Sequence, residues 1–181
     1  AAICGTDNHI WDWTPWAQAR LTLPMIFGHE YCGEVVEVGA SVSGFAAGDL
    51  VAAETHIPCL VCHQCRTGRQ HTCEQMRIIG VHVDGAFSEY ARLPAACAWK
   101  LAAGTSPDLG AILEPIGVAE GGPLQDRIDG AYVAIIGCGP IGLFAAQMAL
   151  AAGARRLFVT DVSEYRLAMA AGGALDDILT R

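Results

Sequence analysis

The sequence lacks the features of membrane proteins and of nucleic-acid-binding proteins. No apolar run approaches the roughly 18 to 20 residues that cross a bilayer, and no charged, apolar leader with a small-residue cleavage site stands at the N-terminus. The chain has only 11 Lys and Arg against 19 Asp and Glu, which gives a net charge of -8. Phosphate binding needs a basic surface. These absences argue against nucleic acid and membrane as partners and predict a soluble, cytoplasmic protein that acts on small molecules.

An initiator Met is also missing. The chain begins with AAICGTDNH, a pattern typical of a strand and the loop after it, and stops at Arg181 just after a helical pattern. We therefore expect an internal fragment of a longer protein. Its 52% hydrophobic content and 21 glycines are typical of a globular protein that buries a core.

The pattern of apolar residues divides the chain in two. Short β-type runs separated by Gly, Asp and Pro fill the first two thirds, namely GEVVEVG, DLVAAETH, MRIIGVHV and AFSEYARLP. From about residue 117, the apolar run AYVAIIG, then PIGLFAAQMALAAGA, RLFVTD and EYRLAMAAGGA follow in the order strand, helix, strand, helix. We therefore predict an α/β plus β fold, with a β domain over residues 1-118 and an incomplete dinucleotide-binding domain over 119-181.

The hexapeptide GCGPIG fits the dinucleotide-binding pattern G-x-G-x-x-G. It follows an apolar strand and opens a helix, where Gly137 permits a tight turn, Gly139 lets the backbone approach a pyrophosphate, and Gly142 allows helix and strand to pack closely. The free N–H groups at the start of that helix favour phosphate. The pattern predicts a dinucleotide site, and a plain turn without ligand is the alternative.

Asp161 and Arg166 bear on which dinucleotide binds. Asp161 ends the second strand about 20 residues beyond the motif, where a carboxylate accepts both ribose hydroxyls and repels a 2′-phosphate. Arg166 lies on the next helix and is a residue type that can serve a 2′-phosphate. With Asp161 present we interpret it as flanking the adenosine, so NAD is favoured over NADP.

The segment CLVCHQCRTGRQHTC concentrates half of the chain's cysteines. Its C-x2-C-x2-C-x7-C spacing, in an acidic chain, favours a metal over the disulfides of secreted proteins. Four thiolates close a tetrahedral zinc site and leave no place for substrate, which is typical of structural zinc. An iron–sulfur cluster is the rival, although its motifs have a shorter third gap and a Pro where Glu74 stands. The predicted ligands of structural zinc are Cys59, Cys62, Cys65 and Cys73.

Cys4, His29 and Glu30 form a second candidate metal site. Taken singly, such a thiol or imidazole is more often a core or surface group than a ligand. Together, one thiolate, one imidazole and one carboxylate supply three ligands for zinc. They leave a fourth place for water or substrate, as a catalytic site requires.

Several segments resemble one family. GHEYCGEVVEVGASV is similar to the signature of zinc-containing alcohol dehydrogenases, the medium-chain dehydrogenase family, and CGTD, the four-cysteine segment, EPIG and GCGPIG follow in that family's order and spacing. Within the family, CGTDNHIWDWTPWAQ most resembles the threonine-oxidising branch. The resemblance implies a GroES-like β domain with a structural-zinc lobe, followed by the first part of a Rossmann NAD-binding domain. It also implies two zinc ions per chain, one catalytic and one structural, NAD, and a homo-tetramer or homo-dimer.

The resemblance further implies roles for single residues. Thr6 and His9 match a proton relay, Glu114 matches an acidic position near the catalytic metal, and His56 matches a position near the substrate. Ile141, Asp161 and Arg166 match positions that contact NAD.

The implied reaction is hydride transfer from a secondary alcohol to NAD, with L-threonine oxidised to 2-amino-3-oxobutanoate. Val118 and Glu120, which border the matched segments, depart from the threonine-oxidising pattern, so sorbitol, another polyol or 2,3-butanediol stays open as the substrate. The alternative from another class is a non-catalytic, metal-stabilised NAD-binding protein. Retention of the metal and relay groups argues against it.

Overall fold

The chain divides into two units, and the first combines short strands with short helices and irregular segments. The computed structural model describes residues 1–121, 128–172 and 178–180. Contacts within the chain separate Ala1–Glu114 from Pro115–Arg181. The expected domain boundary after residue 118 falls inside a helix that spans Leu113–Gly121, and it stays a prediction.

Two small antiparallel sheets form the β structure of the first unit. Strands β1 (Cys32–Glu34), β2 (Leu50–Ala53) and β5 (Ala98–Lys100) pair in the order β1-β2-β5, and β3 (His56–Ile57) pairs with β4 (Arg77–Ile78). These ladders are shorter than the sequence runs, and the strands of this unit contain fewer residues than its helices, so the structure is less rich in β than the sequence pattern predicts.

Helices are the second component of this unit. They are α1 (Gly5–Trp11), α2 (Pro15–Gln18), α3 (His63–Arg66), α4 (Pro107–Ala111) and α5 (Leu113–Gly121), the last of which continues beyond the first unit. The expectation of a loop after Cys4 is wrong, because α1 occupies that place. The Asp7 carboxylate accepts a hydrogen bond from the Cys4 backbone N–H at 2.8 Å, and such a contact satisfies a backbone donor that has no partner inside the helix.

The run AFSEYARLP is not a strand, contrary to its alternating pattern. The N–H groups at its start bond instead to an irregular loop. Ala86 and Phe87, together with the preceding Gly85, donate to the carbonyls of Gly28, Phe27 and Ile26 at 2.9, 3.0 and 2.7 Å respectively. Gly85 is required there, because a side chain at this position would overlap the Gly28 carbonyl. These bonds hold the loop that leads into His29.

The second unit contains a parallel sheet with two helices. Strands β6 (Tyr132–Ile136), β7 (Arg156–Thr160) and β8 (Ile178–Thr180) pair in parallel in the order β6-β7-β8, and α6 (Pro140–Ala151) and α7 (Glu164–Gly172) follow the first two strands. The strand–helix–strand–helix prediction is confirmed. The strand β8 extends it, since only two strands were expected.

The helices of this unit cover one face of its sheet. Leu157 and Val159 are fully buried and belong to apolar clusters with residues of α6 and α7. Tyr132 and Ile136, on the other face of β6, are 61% and 91% exposed. The apolar run therefore forms a parallel strand as predicted, but only one of its faces is covered by the described residues.

Within the ranges that the structure describes, every helix is too short or too polar to cross a bilayer.

Replacement of Gly142 by Ala should destabilise the protein, because the added methyl group would overlap the Gly137 carbonyl. We expect a loss of about 1 to 3 kcal/mol in the free energy of unfolding of the full chain, the usual cost of overpacking, measured by chemical denaturation. Gly117→Ala is the matched control, since a Cβ there would meet nothing within 4 Å and Ala favours a helix. Equal stability of the two variants would contradict this close approach.

Candidate metal and cofactor sites

The structure brings Cys4, His29 and Glu30 together. One ligand atom from each lies within 4.8 Å of the others. An isolated bridge accounts for the approach, because the N–H of Ala2 donates to the carbonyl of Glu30 at 2.8 Å. His29 and Glu30 are 6% and 7% exposed, and buried groups of this kind need partners. The three donors therefore have the chemistry and the spacing of a metal site.

Asp7 is a component of this site that sequence reasoning missed. Its side chain is 2% exposed, and Oδ1 lies 3.7 Å from Nδ1 of His29. Among the described residues, neither of these two atoms has a hydrogen-bond partner. Leaving buried polar atoms unpaired costs free energy, unless a bound ligand orders the imidazole so that the two atoms pair. A carboxylate behind a ligand histidine orients its ring toward a metal. The available signal was an Asp three residues after Cys4, the spacing of a helix cap.

Charge at His29 is consistent with this arrangement. Burial lowers the pKa of His29, but its hydrogen bond with Cys4 and the negative charge of Asp7 outweigh burial, so the pKa is raised overall. The surroundings thus stabilise positive charge at the imidazole. A bound cation would meet the same negative surroundings.

Glu114 interacts electrostatically with two of these residues, His29 and Glu30. The hydroxyl of Thr55, which is fully buried, donates to Oε1 of Glu114 at 3.3 Å. Burial raises the pKa of Glu114, the charge of Glu30 raises it further, and His29 opposes the rise. The structure thus places the predicted acidic residue beside the candidate metal site.

His56 is paired with Glu54. Its ring Nδ1 lies 2.8 Å from Oε1 of Glu54, and both side chains are about half exposed. The hydrogen bond with Glu54 raises the pKa of His56 and lowers that of Glu54. Sequence reasoning identified His56 as a candidate site residue but missed Glu54.

Thr6 and His9 both lie on α1, which begins directly after Cys4. Residues three positions apart share one face of a helix. Thr6 is half-buried and His9 is exposed, with its ring centroid 6.0 Å from that of Trp16. The pair thus runs from a half-buried to an exposed position, while its relay role stays a prediction.

The four cysteines of the second candidate site also converge. Their sulfur atoms all lie within 4.8 Å of one another, and two Sγ to Sγ distances, Cys59 to Cys65 and Cys62 to Cys73, are 4.0 Å. Tetrahedral zinc with bonds of about 2.3 Å places sulfurs about 3.8 Å apart, whereas a disulfide needs about 2.05 Å. The geometry therefore fits a metal and none of these cysteines is in a disulfide.

Backbone N–H groups point at these sulfurs. The N–H of Cys59 and that of Gln75 donate to Sγ of Cys73 at 3.2 and 3.3 Å, and the N–H of Cys62 donates to Sγ of Cys59 at 3.4 Å. Hydrogen bonds from the backbone to the sulfur hold the pKa of Cys62 at about 6. Such bonds stabilise thiolates, the form that binds metal.

The glycine motif of the second unit has the expected shape. Gly137 has φ of 93° and so occupies the left-handed region, Gly139 precedes α6, and Pro140 opens that helix. Gly142 packs against the Gly137 carbonyl. Ile141 is 46% exposed. The turn therefore leaves the start of α6 available to a phosphate group.

Asp161 lies beside the glycine motif. Its Oδ2 accepts from the N–H of Cys138 and its Oδ1 from the N–H of Ser163, both at 2.8 Å, and these bonds lower the pKa of Asp161. Nη1 of Arg166 lies 3.6 Å from Oδ2, and the Asp161 side chain is 3% exposed. The carboxylate is thus ionised, inward-facing and fixed next to the turn.

Comparison with known proteins identifies the family. The profile of the alcohol dehydrogenase GroES-like domain matches residues 1–103. The chain therefore belongs to the family of alcohol dehydrogenases with a GroES-like domain, which confirms the resemblance seen in its motifs.

Individual relatives extend this finding. The chain is 47% identical over 180 residues to L-threonine 3-dehydrogenase of Bacillus licheniformis, a match that covers 99% of the chain and 52% of the relative. It is 34% identical to a protein of Sinorhizobium meliloti 1021, assigned as a zinc-binding dehydrogenase and bound to NADP, with a TM-score of 0.89 over 98% of this chain and 51% of that one. It is 30% identical to an alcohol dehydrogenase of Escherichia coli CFT073 complexed with NADH, with a TM-score of 0.87 over 100% of this chain and 52% of that one.

These matches confirm the predicted fold, a GroES-like β domain followed by the first part of a Rossmann domain. The chain spans about half the length of the curated relatives it matches.

Asp7→Asn should weaken metal binding at Cys4, His29 and Glu30, because the amide removes the charge behind the imidazole. We expect about a 10- to 100-fold loss of zinc affinity at this site, measured in the full chain by competition with a chromophoric chelator. Asp12→Asn is the matched control, since Asp12 is exposed at the other end of the same helix. Equal affinities in the two variants would contradict the role of Asp7.

Cys65→Ser should remove one zinc ion per full chain and lower its melting temperature, because a structural site contributes directly to folding. Elemental analysis and thermal denaturation measure both effects. Cys32→Ser is the control, as Cys32 lies outside both clusters. A brown sample containing iron instead of zinc would overturn the zinc assignment in favour of an iron–sulfur cluster.

Proposed function

We propose that the protein is a zinc-dependent oxidoreductase that transfers a hydride from L-threonine to NAD and forms 2-amino-3-oxobutanoate. The observation that carries the proposal is the convergence of Cys4, His29 and Glu30, a ligand set that leaves a place for substrate. The glycine motif in the second unit supplies the features of a dinucleotide site. L-threonine is chosen because the Bacillus licheniformis relative with that activity in its name matches 99% of the chain.

Zinc bound by Cys4, His29 and Glu30 would supply a Lewis acid that lowers the pKa of the substrate hydroxyl. Thr6 and His9 would carry the released proton outward, with the hydroxyl of Thr6 as the inner group and the imidazole of His9 as the outer one. His9 suits the outer end of this relay because it is exposed.

Glu114 and His56 would act around the substrate. The raised pKa of Glu114 favours its protonated form beside the ligand carboxylate of Glu30, so Glu114 can adjust the charge of the site without being a constant ligand. His56 would contact the substrate itself. We propose that Cys59, Cys62, Cys65 and Cys73 hold a second, structural zinc ion.

NAD is the proposed cofactor. The Asp161 carboxylate is ionised and would meet the adenosine ribose, where it repels a 2′-phosphate. Arg166 is the residue that a 2′-phosphate could use, but its guanidinium already lies 3.6 Å from Asp161. Gly137, Gly139, Ile141 and Gly142 would cradle the pyrophosphate. The two solved relatives hold NADP and NADH respectively, so cofactor choice is tested together with substrate.

Two alternative functions are compared with this proposal in the activity assay described below. A polyol such as sorbitol or 2,3-butanediol is the alternative substrate, because Val118 and Glu120 depart from the threonine-oxidising pattern, and both are exposed on α5. A non-catalytic NAD-binding protein is the alternative from another class. A cytoplasmic location and assembly as a homo-tetramer or homo-dimer stay predictions.

The full-length protein should reduce NAD with L-threonine, and do so faster than with sorbitol or 2,3-butanediol, measured by NADH absorbance with NADP in parallel. Cys4→Ser should lower kcat by more than about 100-fold, the upper range for loss of a mere orienting partner, and leave NAD affinity unchanged. Turnover of a diol without turnover of threonine would refute the substrate. NAD binding without turnover of any of these alcohols would favour the non-catalytic alternative.

A further inference from the structure

Glu54 and His56 make a two-point contact that no role proposed above explains. One carboxylate oxygen, Oε1 of Glu54, accepts from the backbone N–H of His56 at 2.8 Å and also lies 2.8 Å from Nδ1 of the ring. A single oxygen thus fixes both the backbone and the imidazole of the same residue. The ring is therefore more restricted than that of a half-exposed histidine without such contacts.

The backbone that carries this pair is itself fixed on both sides. The N–H of Glu54 donates to the carbonyl of Cys97 at 2.8 Å, and the N–H of Ile79 donates to the carbonyl of Thr55 at 3.0 Å. Thr55 and Ile79 are fully buried. The carboxylate therefore projects from a rigid segment, which is the condition for orienting another side chain.

The contact determines which ring nitrogen of His56 remains for a ligand. An ionised carboxylate only accepts hydrogen bonds, so Nδ1 must carry the proton in this pair. Nε2 is then the nitrogen that can meet a substrate. The hydrogen bond with Glu54 raises the pKa of His56 against the effect of burial, Glu114 raises it further, and His29 opposes the rise. These surroundings favour an imidazole that carries a proton on Nε2 as well.

We propose that Glu54 is a positioning residue for substrate selection, which holds the ring of His56 so that Nε2–H is offered to the carboxylate of an amino-acid substrate. The inference rests on the proposed oxidation of L-threonine at this site. A charge-assisted hydrogen bond of this kind is roughly twice as strong as a neutral one. Sorbitol and 2,3-butanediol have no carboxylate, so the pair would separate the two substrate classes left open above.

Glu54→Gln in the full chain tests the proposal, because it keeps the size of the side chain and removes its charge. We expect KM for L-threonine to rise about tenfold, the effect of losing the hydrogen bond from Nε2–H of His56 to the charged substrate carboxylate. The value of kcat should change less than about twofold. KM for 2,3-butanediol should stay within about twofold, since this substrate has no anion to bind. Glu37→Gln, at an exposed position of the same unit, is the matched control and should change neither value.

A double substitution shows whether Glu54 acts through His56. If it does, adding Glu54→Gln to His56→Asn should raise KM for L-threonine by less than about twofold over His56→Asn alone, because coupled residues are not additive. Additive losses, or equal losses with both substrates, would overturn the positioning role. A merely structural role of Glu54 would produce equal losses with both substrates.

The failure of this inference is distinct from failure of the proposed function. A wild-type chain that oxidises threonine, together with an unchanged Glu54→Gln variant, would overturn only the role of Glu54. A wild-type chain that does not oxidise threonine would overturn the proposed substrate, and the inference with it.

Discussion

The carboxylate of Asp7 makes two contacts on which the candidate metal site depends. Oδ2 accepts from the Cys4 N–H and so helps to start α1 at the residue that supplies the thiolate. Oδ1 faces the imidazole of His29 across 3.7 Å. The beginning of a helix is thereby connected to a candidate metal ligand 22 residues beyond Asp7 along the chain. The proposed relay residues follow from the same helix, since the direction of α1 decides where Thr6 and His9 lie.

Sequence reasoning predicted best those structural features that are contained in one short segment. The four cysteines lie within fifteen residues, and their sulfurs lie within 4.8 Å of one another. The glycine turn is also local, because Gly137 needs a left-handed conformation that the motif directly reports. The family resemblance was also recognised from short motifs, and the family profile that matches residues 1–103 confirms it. The convergence of the four cysteines and the strand–helix order could therefore be predicted from the sequence.

Contacts between distant segments could not be read in this way. An alternating pattern reports which side chains face a core but not which backbone groups pair, so AFSEYARLP resembled a strand although its N–H groups bond to residues 26–28. Asp7 and Glu54 were overlooked for a related reason. Each is an ordinary acidic residue until folding places a histidine ring beside it.

Asp161 serves the glycine turn as well as the proposed nucleotide site. Both of its oxygens are occupied by backbone donors, from Cys138 inside the turn and from Ser163 beyond the strand. A substitution that relaxed cofactor preference would also remove two hydrogen bonds that hold the turn. Redesign toward NADP therefore has to supply new support for the loop at the same time, which makes exchange of this one residue an inefficient route to altered coenzyme use.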